Sequence, residues 1–351
     1  MNPEVPVGPT PEVSVIVGAY RRSEFVERAI DSVLAQRLER SRFEVVVLTD
    51  LDAPDLVERY GARGVAFVRS GEPRIGRWLL AAIDRTRAPW IAFLDDDDEF
   101  EPDRLASALD VLRSEPGTIF YRNRVRPIDR DDRPIPGPRW RTLDRDPAFD
   151  RTGPVRVPTG DRRALAPFLV EDATTSFNSS TMIVGRALFE GPLREAFAAT
   201  QLPDLALFAL SILVPGGLYL DDRRLTRYRV SGSNVSHQVA WLRHAVDGHA
   251  ALASIARARG RDDLADWLAG LSVHYERMSR GETVVEGVRG RATRARVVDG
   301  ALDYLRFLGQ HPAERHARLD VWSAPLYAGG YLFFPGLAQR IALARPTAAR
   351  G

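Results

Sequence analysis

The apolar run WIAFL at Trp90–Leu94 passes directly into four consecutive aspartates, Asp95–Asp98. An apolar stretch without alternation suits a strand covered on both faces, the habit of parallel sheets. Four adjacent carboxylates cannot follow that strand into a core, so it has to end at the rim of a sheet, where loops meet solvent or ligand. The first half of the chain repeats the pattern. VSVIV at Val13–Val17 and FEVVVL at Phe43–Leu48 are further buried-strand runs, Val65–Val68 is a shorter one, and helical spacing separates them. Phe25, Ala29, Ile30, Val33 and Leu34 share one face of the first helix, which Ser23 is suited to cap. Further helices are expected near Pro54, over Arg77–Arg87, and from Pro102 through Leu105, Leu109 and Leu112.

After Tyr121 the pattern gives way to Arg, Asp, Pro and Gly until about Gly160. That is too long for an ordinary connection, and Arg122–Arg163 is expected to form a mobile lid or acceptor loop. Strand patterns return at Thr181–Val184, Gly217–Leu220 and Leu225–Val230, with a helix over Asp204–Leu213. From His237 onward the spacing is helical, as in Trp241–Arg259 and Leu264–Met278.

Composition removes several classes of function. The 49 basic residues, all Arg, nearly balance 47 acidic ones, so the net charge of +2 provides no field for nucleic acid. With 0 Cys, disulfides and thiolate metal sites are excluded, and any metal has to be held by oxygen or imidazole. Met1–Glu12 is Pro-rich and polar, without a signal-peptide pattern, and a cytoplasmic location is expected. Val321–Gln339 carries no charge but is interrupted by Pro325, Gly329, Gly330 and Pro335. Internal packing, peripheral contact with the inner face of a membrane, and a true span all remain open for it. Oligomeric state is not legible.

Acidic residues stand where strands end: Asp50 after the second run and Asp95–Asp98 after WIAFL. Crowded carboxylates in a cleft call for a cation. Mg²⁺ or Mn²⁺ takes one or two of them and completes its shell with water and phosphate oxygens, which makes a diphosphate the natural co-ligand. The plain alternative is a solvated loop whose charge favours the N-terminus of the next helix.

At these residues the chain resembles the inverting family 2 glycosyltransferases of GT-A fold. VSVIVGAYRRSEFVERAIDSVLAQ resembles the family's opening strand, turn and helix, and WIAFLDDDDEFEP resembles its strand and D-x-D metal motif. TSFNSSTMIVGRALFEGPLREAF with LPDLALFALSI resembles the acceptor side, and LTRYRVSGSNVSH the closing strand and loop, so the likeness covers Val13–His237. It implies a GT-A, Rossmann-like α/β domain over 1–236 with a helical appendage over 237–351. Within the domain it implies a nucleotide-sugar half at about 11–121, a flexible loop at about 122–160 and an acceptor half at about 160–236. It implies that Ala19 and Tyr20 border the nucleotide base, that Asp50 bonds base or ribose, and that Asp95 and Asp96 face the donor. Asp97 would bind Mn²⁺ or Mg²⁺, with the register between Asp96 and Asp97 open, and His237 is a candidate further metal ligand beside its reading as a solvated loop histidine. Asp204 would be the general base, with helix capping as its plain alternative. The donor implied is a nucleotide-diphosphate sugar, and the acceptor a glycan, a lipid-linked sugar or a small molecule.

The chain departs from the family in places: Gly18 stands for Pro, Thr49 for Asp, Leu202-Pro203 for the acid before Asp204, and Ser231 for His. The Gln-x-x-Arg-Trp signature of processive synthases is absent. A catalytically degenerate nucleotide-sugar binder or scaffold is the alternative function. A sugar-phosphate nucleotidyltransferase is a third, disfavoured by the lack of a Gly-rich phosphate loop and Lys at the first strand.

Overall fold

The computed structural model describes residues 10–20, 24–135, 153–170, 175–230, 239–290, 292–311, 323–333 and 338. Strands β1 (Val13–Ala19), β2 (Phe43–Thr49), β3 (Val65–Arg69) and β4 (Trp90–Asp95) pair in parallel in the order β3-β2-β1-β4. Most side chains of β1, β2 and β4 are buried because helices cover the sheet, while the edge strand β3 is partly exposed: α1 (Val26–Leu34), α2 (Pro54–Gly61), α3 (Ile75–Ile83) and α4 (Arg104–Ser114) follow the strands in turn. Val15, Val17, Val45 and Val47 pack with Ala29, Ile30, Val33, Leu105 and Leu109 in one apolar cluster. Each such side chain removed from water is worth about 1.5–3 kcal/mol, so the cluster fixes the register. The helix predicted over Arg77–Arg87 is displaced towards its N-terminus. Gly76 explains why α3 can start so early: its amide reaches Thr200 O at 3.0 Å, and a Cβ there would lie 1.9 Å from Phe197 O.

Beyond β4 the sheet changes character. β8 (Met182–Gly185) runs antiparallel between β4 and β6 (Thr118–Ile128), and β9 (Gly217–Arg229) lies parallel to β6. The short β5 (Glu99–Phe100) and β7 (Val155–Pro158) pair antiparallel with β9. The expected loop from Arg122 therefore begins as strand: Arg122–Ile128 continue β6, Val155–Pro158 form β7, and α5 (Arg162–Leu165) is a helical turn. Residues 136–152 of that expected loop lie outside the described residues. The two strands expected at Gly217–Leu220 and Leu225–Val230 are one long strand. Polar residues misled the reading. Arg122 and Asn123 are buried in β6, and Arg104, buried at the start of α4, stacks 3.9 Å from the Phe100 centroid while its Nε donates to Asn123 Oδ1 and Thr226 Oγ1 at 3.1 and 3.2 Å. Burial pulls the Arg104 guanidinium down to about 9.

Helices α6 (Gly191–Ala198) and α7 (Pro203–Ile212) complete the first compact unit, which comprises Met1–Ser231 together with Ser254–Ala265. The returning segment joins the end of α8 (Val239–Ala258) to the start of α9 (Asp262–Arg289), so the tip of the expected appendage groups with the α/β unit. Its arginines explain the grouping. Arg259 Nη1 donates to Leu213 O at 2.9 Å, and Arg261 Nη1 donates to Thr159 O and Ile212 O at 2.8 and 3.2 Å, so cations meet the carbonyls that end α7.

The second unit is Gly232–Ala253 and Asp266–Gly351. Here α10 (Arg294–Gln310) and α11 (Ser323–Phe333) bury Tyr304, Leu308, Ala328 and Tyr331 against Val284, Val285 and Val288 of α9. Part of the uncharged Val321–Gln339 stretch therefore packs internally, while Leu326 and Phe333 are exposed. No helix among the described residues is long and apolar enough to cross a membrane.

Candidate functional site

The parallel register sets the site's floor. Gly18 pairs with Asp95 and Ala19 with Thr49, so β1, β2 and β4 end level, and Tyr20, Asp50 and the aspartate turn follow on one rim. The Ala19 methyl belongs to the apolar core, so this residue offers a ligand only its backbone. Tyr20 is half-buried and meets Trp78 edge-on, 5.5 Å between centroids. The same indole explains Gly18: a Cβ there would come within 3.2 Å of the Trp78 ring. Asp50 is half-buried just past β2.

Asp95 is exposed at the turn's start, whereas Asp96, Asp97 and Asp98 are 3%, 5% and 1% exposed. The turn therefore folds inward, and the buried acids do not face bulk water. Burial, then the charges of Asp97 and Asp95, push the Asp98 carboxyl well above the usual carboxylate range. Asp98 is held on both oxygens. The Arg229 amide donates to Oδ1 at 2.9 Å and Asn178 Nδ2 to Oδ2 at 2.8 Å. The Arg229 side chain grips the same turn, with Nε donating to Asp97 O at 2.9 Å, Nη1 to Asp129 O at 2.9 Å, and an ion pair to Glu99.

Asp204 lies in the first turn of α7, where Leu205 N donates to Oδ1 at 2.9 Å and Asn178 N to Oδ2 at 3.4 Å. Burial pushes its carboxyl up to about 6, against the pull of these amides. Leu202, not Asp204, is the N-cap of α7; in the first turn the two amides orient the Asp204 carboxylate, and desolvation makes it basic near neutrality. Asn178 joins Asp204 to Asp98, and the next residues bind the turn again: Ser179 Oγ donates to Asp95 Oδ1 at 3.1 Å and Ser180 Oγ accepts from Asp95 N at 3.0 Å.

Among the described residues no three His, Asp or Glu side chains converge as a metal cage. A hard divalent ion on a diphosphate needs less, one or two carboxylates with phosphate and water oxygens. The turn offers oxygen donors only, and Asp98, raised first by burial and then by the charges of Asp97 and Asp95, fits that demand. His237 and Ser231 lie outside the described residues, as does Ser23. Sequence reading missed Asn178, Ser179, Ser180 and Arg229 as site residues. The available signal was FNSST, small polar residues immediately before an apolar strand, with Asn among the few residues at ease with positive φ.

Residues 14–171 match the family model described as "Glycosyl transferase family 2". The succinoglycan biosynthesis protein ExoO of Rhizobium meliloti is 40% identical over 111 residues, 30% of this chain and 30% of that protein. The chondroitin synthase of Escherichia coli is 30% identical over 126 residues, 34% of this chain and 18% of that protein. The chain thus spans under a third of the length of these curated relatives. Among solved structures, S. aureus TarS 1-349 in complex with UDP-GlcNAc superposes with a TM-score of 0.51 at 14% identity, covering 94% of this chain and 89% of that one, a likeness of fold.

Proposed function

From the match of residues 14–171 to the glycosyl transferase family 2 model, we propose that the chain moves a single sugar, with inversion, from a nucleotide-diphosphate donor to an acceptor hydroxyl. The acceptor class is a glycan, a lipid-linked sugar or a small molecule. The observation that carries this reading is the linkage of two unlike carboxylate environments: a crowded acidic turn at the strand rim, and a lone raised carboxylate at Asp204. Asp204 accepts the proton of the acceptor hydroxyl as its oxygen bonds to the anomeric carbon. The bond from that carbon to phosphate breaks with its electron pair leaving on the nucleoside diphosphate. Asp97, with Asp96 or Asp95, would hold Mn²⁺ or Mg²⁺, which would neutralise diphosphate charge when bound. Tyr20, Asp50 and the backbone of Ala19 line the side of the rim assigned to the nucleoside.

The test is a panel of nucleotide-diphosphate sugars, UDP-GlcNAc first, scored by thermal shift and by donor consumption with and without Mn²⁺. One donor is expected to raise the melting temperature only with metal, and Asp97→Ala to abolish that rise. Affinity unchanged in Asp97→Ala with Mn²⁺ present would refute the metal assignment. Binding without transfer or hydrolysis over the whole panel would leave a nucleotide-sugar binder in place of an enzyme.

A further inference from the structure

We propose that Asn178 is a positioning residue that fixes the acidic turn through its side chain and the Asp204 carboxylate through its backbone amide, so that donor and base are aligned by a single residue. The proposal rests on the glycosyltransferase reading above. Asn178 has φ 63° and ψ 102°, a left-handed conformation that costs free energy and persists only where its surroundings over-determine it. They do so here. The backbone amide donates to Asp204 Oδ2 at 3.4 Å, Nδ2 donates to Asp98 Oδ2 at 2.8 Å, and Oδ1 accepts from Ser180 N at 2.7 Å. The carbonyl accepts from Thr181 N at 3.1 Å and Thr181 Oγ1 at 2.7 Å. Every polar group of Asn178 is thus engaged, two of them with carboxylates on different elements, at a buried position.

The residue type follows from these contacts. Asp would set a carboxylate against that of Asp98, and Ala would strain the φ and lose the side-chain bonds to Asp98 and Ser180. Gly would keep the backbone and lose both side-chain bonds. Ser179 and Ser180 meet Asp95, so within this segment the bond to Asp98 belongs to Asn178, and the other Asp98 oxygen takes the Arg229 amide. Displacement of a base by about 1 Å costs on the order of 100-fold in rate, which is why such a bridge acts on turnover.

The experiment uses the full chain with UDP-GlcNAc and Mn²⁺ as probe, or the donor found by the panel, comparing wild type with Asn178→Asp and Asn178→Gly. Both variants are expected to lose roughly 10- to 100-fold in kcat while donor KM moves by less than about threefold. Asn178→Gly retains the backbone conformation, so it remains informative if Asn178→Asp does not fold. A folded Asn178→Gly with wild-type kcat overturns the proposal, and so does a loss confined to KM. A second arm needs no turnover: melting temperatures of Asp98→Asn, Asp204→Asn and their double variant, in wild-type and Asn178→Gly backgrounds. The two changes are expected to be non-additive in the wild-type background and additive in the glycine background. Additivity in the wild-type background overturns the coupling. If wild type consumes no donor, the glycosyltransferase reading falls, and the thermal cycle still decides the role of Asn178.

Discussion

The parallel half of the sheet and its mixed half are built on different economies. In β2, β1 and β4 the strands bury valines, leucines and isoleucines on both faces, and the few polar residues, such as the hydrogen-bonded Ser14 and Glu44, stand near the strand ends. In β8-β6-β9-β5 the interior itself is polar, with Arg104, Arg122, Asn123, Asp221, Thr226 and Arg229 all buried. The difference teaches where specificity is stored. An apolar core tolerates exchange of like for like, whereas a buried network is stable only when each member meets its partner, and here such a network holds the acidic turn.

The sharpest break in the comparison is expected at Asp204. Asp204→Asn should lower kcat by about 10²–10⁴-fold with donor affinity intact, measured by steady-state transfer and by calorimetry. An active variant would leave Asp204 only a structural role in the first turn of α7. Next, Arg229→Ala should cost about 3–5 kcal/mol, since it strips a buried cation from Glu99 and the carbonyls of Asp97 and Asp129, and donor binding should fall with it. Denaturant unfolding and donor titration test both halves of that statement. Ile16→Ala, in the middle of β1, should cost about 2–4 kcal/mol through the cavity it leaves, yet keep donor KM unchanged. Loss of donor binding there would erase the distinction between the halves.

The smallest effect is a pH dependence. Asp204 titrates near 6 in the fold against an ordinary 3.8, so the folded protein holds this proton more tightly than the unfolded chain. Its contribution to stability is complete below about pH 4 and is lost as pH rises through about 6. Asp204→Asn should therefore gain up to about 3 kcal/mol on wild type at pH 7.5 and lose that gain near pH 4, as followed by urea unfolding. Transfer by wild type should rise over the same interval as the carboxylate loses its proton.

Legibility followed the same division. Unbroken apolar runs made β1, β2, β3 and β4 readable to within a residue or two, and with them the acidic rim, because burial on both faces leaves only one class of side chain. The helix of Asp204, expected over Asp204–Leu213, is α7 at Pro203–Ile212. Arg122, Asn123 and Arg124 read as loop because nothing in a single sequence distinguishes an arginine satisfied in a core from one in water. Asn178 was invisible for a related reason. Its partners Asp98 and Asp204 are remote in sequence, and only the tertiary fold unites them.

The return of Ser254–Ala265 to the α/β unit has a consequence for the order in which the protein is made. Arg259 and Arg261 follow the whole sheet and α7 in the chain, so the guanidinium groups that meet the carbonyls of Ile212 and Leu213 are among the last of this unit to be translated.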